Sequence, residues 1–382
     1  MPKIYIDVKP SIMQWIVKHL DEKKVNEEML KNIRLWLAGI KQPTFRQIEA
    51  LSKKANIPLG YFFLQKPIEE KIEMLEYRTI DSIQLQNPSR ELIDTIHQME
   101  AIQDWMREYR KNEAYDTNNY VASLKNENNI QHITGVLRND LGLAQDWYNN
   151  FNDIRLAFNY IRQLLTYNGV VVLMNGCVGQ NTHRKLNLNE FRAFAMVDEF
   201  APLIFINAND SWSGRLFSLL HEAVHIWLGK NDLFNSFQST EKPEEILCNA
   251  VAAEILVPTD KFLHYWELSE EQEVNEKVYN IAKKFCCSKI VVARKALDND
   301  KISQRDYDSI VKQVMEKFWA SKQGKTSGGD FYKNLASKLD RGLVTALVYS
   351  INSGKTSYTE AYRLTATNSK TFSELTKALG GC

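Results

Sequence analysis

One stretch of this chain must form a helix buried in protein, and it carries two histidines and a glutamate. Arg215-Leu216-Phe217-Ser218-Leu219-Leu220 runs on through Ala223, Val224, Ile226, Trp227 and Leu228, with Gly229 as its stop. Inside it lies His221-Glu222-Ala223-Val224-His225. Polar groups in an apolar helix are costly unless paired or coordinated. Histidines four apart lie on one helix face and can hold one metal ion, with the carboxylate between them beside the ion's open position. With only 7 histidines in 382 residues, a chance match to this pattern is expected on the order of 0.01 times. The spacing therefore predicts a zinc site equipped to split an amide bond with water, Glu222 acting as general base.

A catalytic zinc site takes three protein ligands and leaves one position open, so a third donor is required. Residues Glu244 to Val257, stopped before Pro258, read as a second helix on which Glu245, Asn249 and Ala252 share a face. Ile246, Val251, Ile255 and Leu256 are then expected to pack elsewhere. Glu245 is the expected third ligand, with Glu244 and Glu254 as alternatives, and Asn249 stands beside it for a supporting role. Glu244 also suits a first-turn acid favoured by the helix dipole. Cys248, among small apolar residues, reads as a buried thiol. The oxyanion stabiliser that such chemistry calls for does not identify itself; His183, in the polar run Gln180 to Lys185, is a candidate, and an exposed loop histidine is the plainer reading.

The remaining organisation follows from periodicity and punctuation. Gly169–Met174, Phe191–Val197 and Pro202–Ala208 read as strands. Three strands ahead of the two site helices give an α+β peptidase core, mostly helical, with a small three-stranded sheet packed on the His-Glu helix and helical modules at both ends. The sheet edge beside the zinc is expected to take substrate as an added strand. The expected segments are residues 1–66, a connector at 67–120, the catalytic region at 121–320, a linker at 321–330 rich in Gly, Ser and Lys, and helices from 331 to 382. A stripe of Ile93, Ile96, Met99, Ile102 and Met106 marks a helix in the connector. Near the start, Ser11, Asn26 and Thr44 are each placed to cap a helix.

Composition excludes several classes. Lys and Arg total 48 against 47 Asp and Glu, so the chain as a whole is no polyanion binder. No apolar run is long enough to span a membrane and no secretory signal opens the chain, so a cytoplasmic protein without membrane partners is expected. Five cysteines without ligand spacing argue against a disulfide framework.

The blocks Phe191–Met196, Ala201–Asn207, Leu216–Gly229 and Glu245–Pro258 together resemble the ImmA/IrrE family of zinc metallopeptidases in order and spacing. The resemblance implies that His221, His225 and Glu245 bind Zn2+ and that Glu222 is the base. Cys248 and Val251 depart from the alanine and phenylalanine usual there. It also offers Arg294 as a recurring arginine for the oxyanion, against a plain helix-surface charge. Tyr77–Asp81 and Pro88–Leu92 look like the segment joining the modules of long family members.

Leu35–Thr44 with Ile57–Phe63 resembles the Xre helix-turn-helix family, although Val25–Trp36 is short for both helices of that motif. With 11 Lys and Arg against 6 Asp and Glu in residues 1–60, the module either contacts DNA phosphates or is a degenerate, partner-binding version. No base-reading residue stands out. The combined expectation is a zinc metalloendopeptidase for limited proteolysis of a repressor, antitoxin or similar regulator, in a prophage, mobile-element or toxin-antitoxin setting. The alternative is a DNA-binding regulator or toxin-antitoxin component whose zinc fold serves binding.

Overall fold

The computed structural model describes residues 4–20, 25–68, 88–234, 242–269, 272–322 and 331–379. They fall into two compact units, Met1–Ile93 and Asp94–Cys382. The Tyr77–Asp81 segment and most of the Gly/Ser/Lys-rich linker lie outside the described residues.

The first unit is helical. Helix α1 (Pro10–Lys18) starts one residue before the expected cap Ser11, with Lys9 at the cap position. Proline at the first helical position explains this, since its fixed φ suits the helix and its missing N–H would have no partner there. In α2 (Glu27–Leu37) Asn26 caps as expected, accepting from the Met29 N–H at 3.0 Å. In α3 (Phe45–Ala55) Thr44 and Gln47 form a reciprocal capping box. Ile12, Ile16, Ile33, Trp36, Ile48, Leu51 and Phe62 make the core. Residues 19–26 separate α1 from α2, a longer connection than the roughly 3–4-residue turn of a helix-turn-helix pair.

The second unit is built on a mixed sheet. Strands β1 (Val171–Asn175), β2 (Ala193–Met196) and β3 (Leu203–Asn207) form from short continuous apolar runs, as expected of strands covered on both faces. A fourth, β4 (Asp232–Phe234), adds to the three expected, and the order is β1-β3-β2-β4. β1 pairs with β3 in parallel, while β2 runs antiparallel to both β3 and β4. The borders of the sheet are therefore β1 and β4.

Both faces of the sheet are covered, because successive side chains point to opposite sides. Val172, Met174, Ala195, Ile204 and Ile206 join the main core with α6 (Ile154–Tyr167) and α7 (Trp212–Leu228) against that face. On the other face, Leu173 and Phe205 line a small cavity together with Met99 and Ile102 of α4 (Arg90–Asn112). The α4 stripe is buried as its periodicity predicts. Buried Gln103 donates to the Met196 and Ala201 carbonyls at 2.9 and 3.0 Å, tying α4 to the end of β2.

Helix α5 (Ile130–Leu141) packs on α8 (Pro243–Leu256), which also packs on α7. Then α9 (Thr259–Glu267), α10 (Val274–Lys284), α11 (Lys289–Asp298) and α12 (Gln304–Lys322) pack each on the next. The chain ends in α13 (Phe331–Lys338), α14 (Arg341–Asn352), α15 (Tyr358–Thr365) and α16 (Ser369–Ala378).

These last helices pack on the sheet unit, α13 against β1 and α14 against α6. The outer backbone of β1 meets side chains in place of a further strand. Asp340 Oδ2 accepts from the Val172 N–H at 3.2 Å and from the Thr166 hydroxyl at 2.7 Å. Arg162 donates to the Val172 carbonyl at 2.8 Å and holds the Ser337 and Leu339 carbonyls at 2.7 and 2.6 Å. Among the described residues no helix is long and apolar enough to cross a membrane.

Candidate metal centre

Helix α7 is fixed at both ends. At its start the Ser211 side chain accepts from the Gly214 N–H. The preceding Asp210 accepts from the Ser211 N–H at 2.7 Å and pairs with Arg192 at 2.5 Å. Gly214 is required here, since a Cβ would lie 2.4 Å from an Asp210 oxygen. At its end Gly229 takes the left-handed conformation, φ +72°, that closes a helix without steric cost. The last carbonyls of a helix lack internal partners, and here Ala122 and Leu124 supply them, donating to Ile226 and Trp227 at 3.0 Å each. Trp227 is held by Asp140 at 2.8 Å and stacks on Tyr120 at 4.3 Å between ring centroids.

The helix so held presents His221 and His225 to α8. His221, Glu222 and His225 are 0, 0 and 1% exposed, and Glu245 is 5% exposed. Glu245 sits in the first turn of α8, set by Pro243 at its start, and its carboxylate faces both imidazoles. One carboxylate oxygen lies 3.3 Å from His221 Nε2, the other 3.3 Å from His225 Nε2, and the two nitrogens are 3.1 Å apart.

These separations test whether a metal fits. A zinc ion with donors at about 2.0–2.1 Å in tetrahedral array has neighbouring donors about 3.3 Å apart. The two nitrogens, and each nitrogen with its own Glu245 oxygen, stand at about that spacing, and one ligand atom from each of the three residues lies within 4.8 Å of the others. Two imidazoles and a carboxylate are also the donor types zinc takes. His221, His225 and Glu245 form the group of side chains able to hold one metal ion among the described residues.

Asn249, one turn beyond Glu245, completes the first histidine. Its Oδ1 lies 3.0 Å from His221 Nδ1. An amide oxygen can only accept, so Nδ1 carries the proton and Nε2 turns a lone pair toward Glu245 and His225. Burial pushes the His221 pKa down and the neighbouring His225 adds to this, with Glu245 and Asn249 pulling the other way, so the ring stays neutral near neutral pH. Burial alone would raise the Glu245 carboxyl, but the facing His221 and His225 outweigh it and hold the group far below the usual carboxylate range.

Residues 167–297 match the family model of the IrrE N-terminal-like domain, Peptidase_M78. The matched stretch runs from the end of α6 through the sheet and both site helices to α11. This IrrE-like domain is of peptidase type, and its His–His–Glu group suits a divalent metal. Residues 339–378, in the C-terminal helices, match a domain of unknown function, DUF8813. Searches of curated proteins and of solved structures gave no match.

The other candidate residues of the IrrE-like domain go elsewhere. Glu244 pairs with Lys230 at 2.7 Å, just past the end of α7. Glu254 turns to Lys295 and to Thr259, whose N–H and hydroxyl it accepts at 3.0 and 2.6 Å. A first-turn acid and a buried ion pair account for these two. The buried Cys248 thiol is pushed up by burial, with a hydrogen bond to His225 opposing. Arg294 is 58% exposed and pairs with Asp298 at 2.8 Å one turn along α11. His183 is an exposed residue of the turn between β1 and β2, its N–H on Asn181. Ile246, expected to pack, is 56% exposed at the start of α8.

Sequence reading missed Asp210, Asp140 and the 122–124 segment that hold α7 in place. Asp210-Ser211 ahead of an apolar run is a legible cap signal. The other two depend on contacts distant in sequence.

Proposed function

We propose that this chain is a zinc-dependent endopeptidase in which His221, His225 and Glu245 hold the ion and Glu222 handles the proton. The observation that carries this reading is the buried cluster of two histidine nitrogens 3.1 Å apart, each 3.3 Å from an oxygen of the Glu245 carboxylate, with the His221 tautomer set by Asn249. When bound, zinc lowers the pKa of water and polarises a substrate carbonyl.

The protein's own groups do the rest. Asn249 fixes the His221 ring through Nδ1–H, so that Nε2 is always the nitrogen offered. Glu245, ionised by its two imidazole neighbours, brings the negative charge that a dication needs. Glu222, between the histidines on the same helix, accepts the proton of the attacking water and delivers it to the leaving amine. The enclosure of all four side chains keeps bulk water from competing and strengthens each electrostatic contact. Substrate is proposed to lie extended, its backbone adding to the sheet on the β4 side.

The substrate class we propose is a regulatory protein, such as a repressor or antitoxin, cut at few positions in a cytoplasmic prophage, mobile-element or toxin-antitoxin setting. The first unit then serves partner recognition. Helix α2 opens with exposed Glu27 and Glu28, whereas a recognition helix brings its N-terminal residues to the DNA bases and phosphates. An acidic first turn there favours a protein partner.

The test is incubation of the zinc-loaded chain with the small repressor encoded nearest to it, followed by mass spectrometry. Discrete fragments made by the native chain and absent with Glu222→Gln support the reading; equal fragments from both refute it. Salt-sensitive binding of duplex DNA that disappears on deletion of residues 1–66 would favour the regulator reading instead.

A further inference from the structure

A cleft of about 920 Å³ opens between α4, α6 and the C-terminal helices, within the range of about 300–1,000 Å³ typical of small-molecule sites. None of its lining residues comes from α7 or α8, so it is separate from the metal centre. Its walls combine three arginines, Arg110, Arg162 and Arg341, with three tyrosines, Tyr109, Tyr115 and Tyr167. No carboxylate lies among the described residues that line it.

Charge and aromatic surface have distinct placements. Arg110 and Arg162 spend N–H groups on backbone carbonyls, Gly169 and Phe200 for the first, Ser337, Leu339 and Val172 for the second. Carbonyls satisfy hydrogen bonds but leave the positive charge in place, and only Asp340, held on Thr166 and Val172, lies close enough to offset Arg162. Arg341 is exposed in the first turn of α14. At the rim, Tyr167 is 76% exposed and Tyr115 is also exposed. Tyr109 is stiffened by stacking on Trp105 at 5.3 Å and lies 6.2 Å from Tyr115.

Cationic guanidinium groups beside open aromatic faces suit a ligand with an anionic group and a flat ring. We propose that this cleft binds a nucleotide-class ligand, its phosphate toward Arg341 and Arg110 and its base against Tyr167. Because α4 and α6 form one wall and α13 and α14 the other, such a ligand bridges those two helices and the C-terminal helices. It would stabilise their docking by mass action.

The experiment titrates AMP, adenosine and inorganic phosphate separately into the full zinc-loaded chain by calorimetry, beside Arg341→Glu and Tyr167→Ala. Both substitutions are at exposed positions, and melting curves without ligand verify folding. The expected result is saturable AMP binding, tighter than either fragment, with a rise in melting temperature. Arg341→Glu should weaken AMP and phosphate on the order of tenfold, the scale of one charge-assisted hydrogen bond. Tyr167→Ala should weaken AMP and adenosine and leave phosphate unchanged. Absence of saturable AMP binding overturns the proposal, as does AMP binding that both variants retain in full. Phosphate binding equal to that of AMP overturns the ring's part in it.

Discussion

Replacing Asn249 by alanine isolates the one contact that sets the chemistry of His221. The amide oxygen of half-buried Asn249 lies 3.0 Å from Nδ1 of the fully buried His221 ring. Without it, the ring has two poor options. It can keep the proton on Nδ1 and leave a buried donor unsatisfied, or move the proton to Nε2 and lose the lone pair aimed at the metal position. An unsatisfied buried donor costs about 1–3 kcal/mol. That range corresponds to roughly 5–150-fold in an equilibrium constant. It brackets the roughly 10–100-fold usual when the partner of a metal-binding histidine is removed. Asn249→Ala is therefore expected to weaken zinc binding by tens of fold, measured by competition with a chromophoric chelator near neutral pH. Asn249→Asp keeps an acceptor at the same place and should stay much closer to the native value. Melting curves of the metal-free proteins separate this loss from general destabilisation. Zinc affinity within twofold of native for Asn249→Ala, in a folded protein, would refute the orienting role.

Three further outcomes are expected. Glu222→Gln should keep zinc stoichiometry at one per chain and lower peptide cleavage about 10²–10⁴-fold; a variant losing metal and activity together would make Glu222 part of the binding set. Lys295→Met strands the buried Glu254 carboxylate and should cost about 3–5 kcal/mol at neutral pH by denaturant unfolding. The Glu254 pKa is opposed by burial but lowered by Lys295 and Thr259 below its ordinary 4.5. The pair's stabilisation is therefore complete above that value and lost as pH falls through the lowered one, so the native and Lys295→Met curves should converge in acid. Gly229→Ala places a Cβ 2.5 Å from Ala122 Cβ at φ +72° and should cost about 1–2 kcal/mol for the left-handed backbone alone, plus the clash. Ala122→Gly should recover the clash part in the double variant, and strict additivity of the two changes in melting experiments would count against the contact.

The metal group was legible in the sequence because helical spacing is rigid. His221 and His225 are set by one helix, and Glu245 and Asn249 by a second, so only the meeting of α7 and α8 was left to tertiary structure. Glu254 was a reasonable rival in the sequence, and its exclusion came from Lys295, 41 positions away, which no local pattern could pair with it. The three main strands were legible as short continuous apolar runs, the pattern of strands buried on both faces. β4 was not, because three residues carry too little periodicity to separate a strand from a loop. Nor could the docking of α13 and α14 be read, since the apolar recurrence in that segment shows that the helices bury a face without showing against what.

The arrangement at β1 bears on how this protein keeps to itself. A bare strand at a sheet border is a template for uncontrolled pairing between molecules. Here the peptide groups of Val172 are met by Asp340 and Arg162, two charged side chains that no second strand can displace cheaply. The C-terminal helices thereby act as a stopper against polymerisation at one border. A chain shortened before residue 331 would keep Arg162 but lose Asp340 and the helices over that border, and fibrillar or amorphous precipitation would then be a hazard of truncation.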